Sequence, residues 1–301
     1  MNYSFYKKQV ELLLLILPYI FKEKCFALHG GTAINLFQYN LPRLSIDIDL
    51  TYLLINDRET ALKSINEALF SIKINITKAL RGIIVQHNDK ELKLNISTKQ
   101  ANVKVEVNPI KRGCFLNPVS KILCVKAQEE FDSFFDVQMV EIGHLFGGKI
   151  CAALDRQHPR DLFDIHNMLK TENFSEVIKT GFLFYLVSSN RPIVEMLFPH
   201  LKDQHNAFEN QFIGMTEELF TYNDFESTRS SLIKIIHNSL NEKDKDFLMQ
   251  LESGEPNWDI YNFQNFPAIK WKLQNIEVLR DKNPSKHRKL IDKLKLQLEN
   301  I

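Results

Sequence analysis

The stretch Arg43-Leu44-Ser45-Ile46-Asp47-Ile48-Asp49-Leu50 decides the fold. Apolar and polar residues alternate through it, which is the pattern of a half-buried strand. Ile46, Ile48 and Leu50 therefore share one face, and Ser45, Asp47 and Asp49 share the other. Side chains two apart on a strand stand about 7 Å from each other. Two carboxylates at that spacing in an otherwise apolar segment repel, unless solvent or a cation intervenes. Oxygen ligands of this kind suit a divalent ion such as Mg²⁺ or Mn²⁺. In isolation an Asp-x-Asp pair is as readily a plain solvated strand face.

The neighbouring segments add to the signal. Upstream, Cys25 to His29 reads as a short buried strand, Gly30-Gly31 breaks it, and Thr32 to Phe37 has helical character. A strand, a Gly-Gly turn and a helix start leave backbone N–H groups free to face an anion. Thr32 adds a hydroxyl contact or caps the helix. Downstream, Glu59 to Phe70 has helical spacing, and Gly82 to His87, Glu91 to Ser97 and Asn102 to Val107 read as strands. Asn88-Asp89 supplies a hairpin turn between the first two. In Val103-Lys104-Val105-Glu106-Val107-Asn108 the valines form one face, with Lys104, Glu106 and Asn108 on the other. If this strand lies beside the first, Glu106 becomes a third carboxylate. Three carboxylates can hold two metal ions, one activating an attacking oxygen and the other steadying the leaving one.

Past about residue 141 the texture turns helical. Glu141 to Leu154 and Pro159 to Lys170 read as two helices, with Pro159 suited to a first turn. Apolar periodicity continues in Gly181 to Ser188, Phe225 to Leu240 and Lys286 to Leu298, and Gly254-Glu255-Pro256-Asn257-Trp258 reads as a loop. The expected fold class is α+β. A mixed-sheet domain at 1–140 has its site completed by helices at 141–170, and a helical domain follows at 171–301. Lys149 projects from the first of those helices and can neutralise phosphate charge. Asp161 falls in the first turn of the second, where the helix dipole favours a carboxylate. Arg160 and Asp164 are spaced to pair on a helix face.

The bulk properties set limits. Lys+Arg 38 against Asp+Glu 37 leaves a net charge of +1, which argues against coating nucleic acid through bulk charge. Cys25, Cys114, Cys124 and Cys151 form no Cys-x-x-Cys pair, and read as reduced, mostly buried thiols of a cytoplasmic protein. The apolar run Val10 to Phe21 contains Glu11 and Pro18 and is too short to span a bilayer, so it reads as a buried helix rather than a signal or membrane segment. Seven Lys/Arg between Arg280 and Lys295 read as the solvated side of an amphipathic helix before they read as an RNA-facing stripe. Lys111-Arg112 reads equally as a phosphate guide or an exposed loop pair. Trp258 and Trp271 read as core or loop anchors. No histidine pair has metal-ligand spacing.

Gly30-Gly31-Thr32-Ala33 with Arg43-x-Ser45-x-Asp47-x-Asp49-Leu50 resembles the first motif of the DNA polymerase β-like nucleotidyltransferases. More narrowly it resembles the AbiEii/AbiGii toxin family of type IV toxin–antitoxin and phage abortive-infection systems. Lys149, Arg156 and Arg160-Asp161-Leu162-Phe163-Asp164 resemble that family's downstream Lys and Arg-Asp-x-x-Asp motifs. Asn190 to Leu197, Phe212 to Met215, Glu255 to Trp258 and Pro267 to Lys272 resemble stretches of full-length members. The broader superfamily has Gly-Ser where this chain has Gly31-Thr32, and Thr keeps the hydroxyl.

The resemblance implies a metal-dependent nucleotidyltransferase toxin. It would transfer a nucleotide from an NTP to an acceptor, such as a tRNA 3′ end, and release pyrophosphate. It assigns the metal, Mg²⁺ or Mn²⁺, to Asp47, Asp49 and Glu106, and the catalytic residues as Asp47, Asp49, Lys149 and Asp161. It assigns nucleotide binding to Gly30, Gly31, Thr32, Ser45, Lys149 and Arg160. The implied partners are an RNA acceptor and a separate antitoxin that need not touch the toxin, with no membrane. Two other readings stay open. One is nucleotidylation of a small molecule or a protein side chain, and the other is a non-catalytic nucleotide-binding module.

Overall fold

The computed structural model describes residues 3–301. The chain divides into two compact units. The first ends at Glu141 and takes back Phe208–Leu219; the second is Ile142–Ala207 with Phe220–Ile301. The return of Phe208–Leu219 is made by hydrogen bonds to backbone carbonyls: Leu44 N–H donates to Met215 O at 2.7 Å, and the Thr216 hydroxyl donates to Pro42 O at 2.7 Å. Hydropathy does not mark such a segment, which lies within the 171–301 stretch expected to be helical.

The first unit runs α1 (Tyr3–Ile20), β1 (Phe26–His29), α2 (Gly30–Ala33), a π-helical turn (Ile34–Gln38), β2 (Asp47–Tyr52), α3 (Arg58–Ala79), β3 (Ile84–Asn88), β4 (Lys93–Ser97), β5 (Asn102–Val107), β6 (Val119–Ile122), α4 (Val125–Phe131) and β7 (Asp136–Met139). Its seven strands form one sheet in the order β3-β4-β5-β2-β1-β7-β6. β2 pairs with β5 and β1 with β7 in parallel; the remaining neighbours are antiparallel. The fold class is therefore the α+β mixed sheet expected from sequence.

From Asp47 to Leu50 and along β4 and β5 the alternation read from sequence is the alternation of burial; Ser45 and Ile46 precede β2, Ser45 buried and Ile46 half-buried. Ile48 and Leu50 of β2, Val103, Val105 and Val107 of β5, and Leu94 and Ile96 of β4 are buried. Helix α3 packs on β3 and β4, and α1 on β5 and α3. These helices contribute Leu13, Ile16 and Leu17, and Ile65, Leu69 and Ile72, all fully buried. Each such side chain contributes roughly 2 kcal/mol by leaving water. The N-terminal apolar run is thus the inner face of α1, as expected. No helix among the described residues is long and apolar enough to cross a membrane.

In the second unit the helices are α5 (Ile142–Asp155), α6 (Pro159–Thr171), α7 (Glu176–Val187), α8 (Ile193–Leu197), α10 (Tyr222–Ser239), α11 (Glu242–Ser253), α12 (Pro267–Lys282) and α13 (Pro284–Leu298), while α9 (His205–Gln211) straddles the division. Helices α5 and α7 approach closely because they meet at glycines: a Cβ on Gly147 would sit 2.7 Å from Phe182 N, and one on Gly181 would strike Gly143 O. Thr221 and Asn241 cap α10 and α11 through capping boxes with Asp224 and Asp244. The basic C-terminal stretch is broken between α12 and α13, and Leu294 and Leu298 are buried, so it is the amphipathic arrangement. Arg112 is neither an exposed loop residue nor a phosphate guide: it is buried and donates to Asn56 O and Asp57 O. Trp258 packs edge-on against Phe247, whereas Trp271 is 45% exposed and anchors no core.

Candidate active site

In the first unit the site is built on β2 and the turn that follows β1. His29 is opposite Asp49 in the antiparallel register of β1 with β2, so the Gly30-Gly31 turn begins beside that carboxylate. Gly30 has φ +71°, a left-handed conformation that glycine adopts without steric cost. It also has no room for a side chain: a Cβ there would fall on Asp49 Oδ2 and lie 2.9 Å from Asp49 Cγ. A Cβ on Gly31 would lie 2.8 Å from Arg43 Nη2 and 3.0 Å from Ser45 Oγ. The two glycines therefore let backbone pass directly against a carboxylate on one side and a guanidinium on the other.

Arg43 heads the motif and is a buried part of the site. Its guanidinium is buried, donates to Leu44 O at 2.9 Å and lies against Gly31. Its signal in the sequence was only its place before the Asp-x-Asp run. Thr32 turns inward. Its hydroxyl is buried, 3.0 Å from Ser45 Oγ, and donates to Asp47 O. Ser45 is buried beside it. The Thr32–Ser45–Asp47 contacts thus tie the helix start to the first residue of β2.

Asp47 and Asp49 stand on the open face of β2, both half-buried, with Ile48 buried between them. In the parallel register of β2 with β5, Asp49 is opposite Glu106 and Asp47 is opposite Lys104. The neighbouring-strand arrangement proposed for Glu106 is present. Its carboxylate, however, is engaged: Oε1 is 2.8 Å from Lys93 Nζ, and Oε2 is 3.3 Å from Lys104 Nζ. Partial burial acts to raise the Glu106 pKa, but the two ammonium groups outweigh it and hold the carboxyl below its ordinary range. Among the described residues no three His, Cys, Asp or Glu side chains are gathered as a cation site. Asp47 and Asp49 offer hard oxygen donors on one face and fit Mg²⁺ or Mn²⁺ as a pair; Glu106 joins them only by leaving its lysines.

The helical residues form a separate cluster inside the second unit. Lys149 on α5 is buried, with Nζ 2.9 Å from Asp161 Oδ1 and 3.0 Å from Asp164 Oδ2. Arg156 adds a second cation: its Nη2 donates to Asp161 Oδ1 at 2.9 Å and its Nε to Oδ2. Asp161 is 1% exposed, and burial alone would push its pKa up; the charges of Lys149 and Arg156 reverse that and hold it far below the usual carboxylate range. His158 caps α6 by accepting from Arg160 N–H, 3.2 Å away. Lys149 and Asp161 are brought together, as residues whose charges are balanced within the helical unit. Asp164 also holds Lys149, on the ammonium that Asp161 contacts.

The first unit is thus a seven-stranded mixed sheet with paired carboxylates on β2 beside a Gly-Gly turn, and the second unit carries Lys149 against Asp161. The family profile described as "Nucleotidyl transferase AbiEii toxin, Type IV TA system" matches residues 12–275, and the chain belongs to that family. Among solved structures the fold is similar to that of MenT4, a nucleotidyltransferase toxin from Mycobacterium tuberculosis H37Rv. The TM-score is 0.59 at 14% identity, over 88% of this chain and 91% of that one. No curated protein matches the sequence.

Proposed function

We propose that this toxin transfers a nucleotide from an NTP to the 3′ end of an RNA, such as a tRNA, and releases pyrophosphate. The observation that carries the reading is the packing of Asp49 against Gly30. That contact joins the carboxylate pair to the turn whose backbone N–H groups can face phosphate. Asp47 and Asp49 would hold Mg²⁺ or Mn²⁺, with Glu106 as the third ligand once released from Lys93 and Lys104. Such an ion, when bound, neutralises phosphate charge and lowers the pKa of a coordinated oxygen. Gly30 and Gly31 orient the triphosphate, while Thr32 and Ser45 hold the turn to β2. The acceptor hydroxyl oxygen bonds the α-phosphorus, its proton passes to solvent, and the bond to pyrophosphate breaks with the electron pair leaving on pyrophosphate.

Lys149 and Asp161 are assigned to the same reaction on the family motifs, with Arg160 as a nucleotide-binding residue. Their support here is that three charged groups, Lys149, Asp161 and Asp164, are buried together at a cost in desolvation, with the solvated Arg156 on their edge. A separate antitoxin is the expected genetic partner. The test is label transfer from α-labelled NTP to total RNA, with purified protein and small-molecule acceptors supplied in parallel. The unaltered chain should label RNA in the presence of Mg²⁺, and Asp49→Ala should fold and label nothing. Undiminished labelling by that variant overturns the assignment, and labelling of protein or a small molecule alone moves the acceptor to that class.

A further inference from the structure

Side chains at paired register positions project from the same face of a sheet. From Asp49 one such row runs through Glu106 and Lys93 to Asn88, and from Asp47 a second runs through Lys104 and Asn95 to Gln86. The two rows cross β2, β5, β4 and β3 and extend about 14 Å from the aspartates, at the usual strand spacing. The opposite face of the same strands is the buried core. On the open face Asn95 and Gln86 are exposed, and Lys104, Lys93 and Asn88 are half-buried.

These residue types are unusual for their place. Asn and Lys are depleted in strands, yet β4 is an interior strand and carries both. Every side chain beyond Glu106 in the two rows, together with Lys104, can donate hydrogen bonds. The two lysines now hold Glu106. Lys104 is 42% exposed and Lys93 is 32% exposed, and ion pairs at such solvated positions contribute little, so exchange for another anion costs little.

Position gives the face its occupant. The Gly30-Gly31 turn follows β1, and β1 flanks β2 on the side opposite β5. In-line displacement at phosphorus places the leaving pyrophosphate and the attacking oxygen on opposite sides. With the triphosphate at the β1 side, the acceptor must arrive from the β5 side. We infer that the acceptor is a single RNA strand lying across β5, β4 and β3, with Lys104 and Lys93 contacting its phosphates and Asn95 and Gln86 hydrogen-bonding its backbone or bases. This rests on the proposed transfer reaction and names where its acceptor is held. The face carries no aromatic residue, so recognition is by charge and hydrogen bonds rather than by stacking.

The experiment measures binding of a fluorescent single-stranded RNA with a free 3′ hydroxyl to the full chain by anisotropy, and NTP binding by calorimetry. Gln86→Glu combined with Asn95→Glu alters only exposed positions. It should weaken RNA binding about tenfold and leave NTP affinity in place. Lys93→Ala and Lys104→Ala should each flatten the slope of log affinity against log salt by about 0.7, the value for one lost phosphate contact on a single strand. RNA affinity unchanged in the double variant overturns the inference. So does equal loss of NTP affinity, or an unaltered protein that binds no RNA. RNA binding that responds as stated without any label transfer would keep the seat and overturn the reaction, so the two failures are distinguishable.

Discussion

The Asp49 carboxylate lies against Gly30 so closely that a Cβ at position 30 would fall on its Oδ2. Position 30 is also left-handed, at φ +71°, where a Cβ costs about 1 kcal/mol on conformation alone. Gly30→Ala is therefore expected to destabilise the first unit and to abolish label transfer by displacing Asp49. Adding Asp49→Ala relieves the clash but not the strain. The two effects on stability should be non-additive in urea unfolding, the double variant being more stable than the sum of the single losses. Strict additivity would show that the two residues do not press on each other.

Asp161 gives a pH dependence of known sign. Its pKa is depressed in the folded protein by Lys149 and Arg156 against the opposing effect of burial. The unfolded chain binds a proton near pH 3.9, so the stabilisation is fully present above that pH and is lost as pH falls below it. Asp161→Asn should cost about 3 kcal/mol at neutral pH, because it takes one carboxylate from the buried Lys149 ammonium and leaves Asp164 on it. It should also flatten the fall in melting temperature below about pH 4. Thermal melts of both proteins from neutral to acid pH check this; parallel curves would assign the acid sensitivity to another carboxylate.

The legible part of this molecule was the part written in period-two alternation. Asp47-Ile48-Asp49-Leu50 and Val103-Lys104-Val105-Glu106 show the strands, their faces and their candidate acids, because a sheet with one face covered must alternate; Ser45 and Ile46, read as part of the same strand, precede it, with Ser45 buried and Ile46 half-buried. The partnership of Asp49 with Glu106 was conditional on adjacency, which register alone supplies. β6, α4 and β7 were missed. They are short, and β6 exposes Ile122 while α4 exposes Val125, so hydropathy carries little periodicity there. The lysines on Glu106 and the guanidinium against Gly31 were invisible, since both depend on residues distant in sequence or on side-chain direction. Helices α11 and α12 have buried positions at helical spacing, but Asp244 and Glu252 of α11 and Lys272 of α12 are among them, so hydropathy alone shows short apolar stripes there.

The thiols also differ from the sequence expectation. All four cysteines are free, but Cys151 alone is fully buried, and Cys25, Cys114 and Cys124 are half-buried. Burial nonetheless pushes the Cys25 thiol up to about 11 and Cys114 up to about 12. For Cys25 about one thiol in a thousand is thiolate at pH 8. The folded protein should therefore react with a disulfide reagent at pH 8 far more slowly than the urea-unfolded chain, with four equivalents released after unfolding. A rapid equivalent in the native protein would identify a thiol more accessible than this fold provides.

The crossing of α5 and α7 sets the last expectation. A Cβ on Gly181 would strike the carbonyl oxygen of Gly143, and the obstacle is helix backbone rather than a movable side chain. Gly→Ala in a helix interior ordinarily stabilises by up to about 1 kcal/mol through propensity. Here overpacking against helix backbone opposes it, at a cost of about 1–3 kcal/mol or more. Gly181→Ala should therefore destabilise the helical unit despite the better helix former, with the lower urea midpoint followed by the fluorescence of Trp258, which packs on Phe247 of α11. A midpoint at or above that of the unaltered chain would mean that the helices separate without loss, and that the glycines at 143, 147 and 181 do not set their distance.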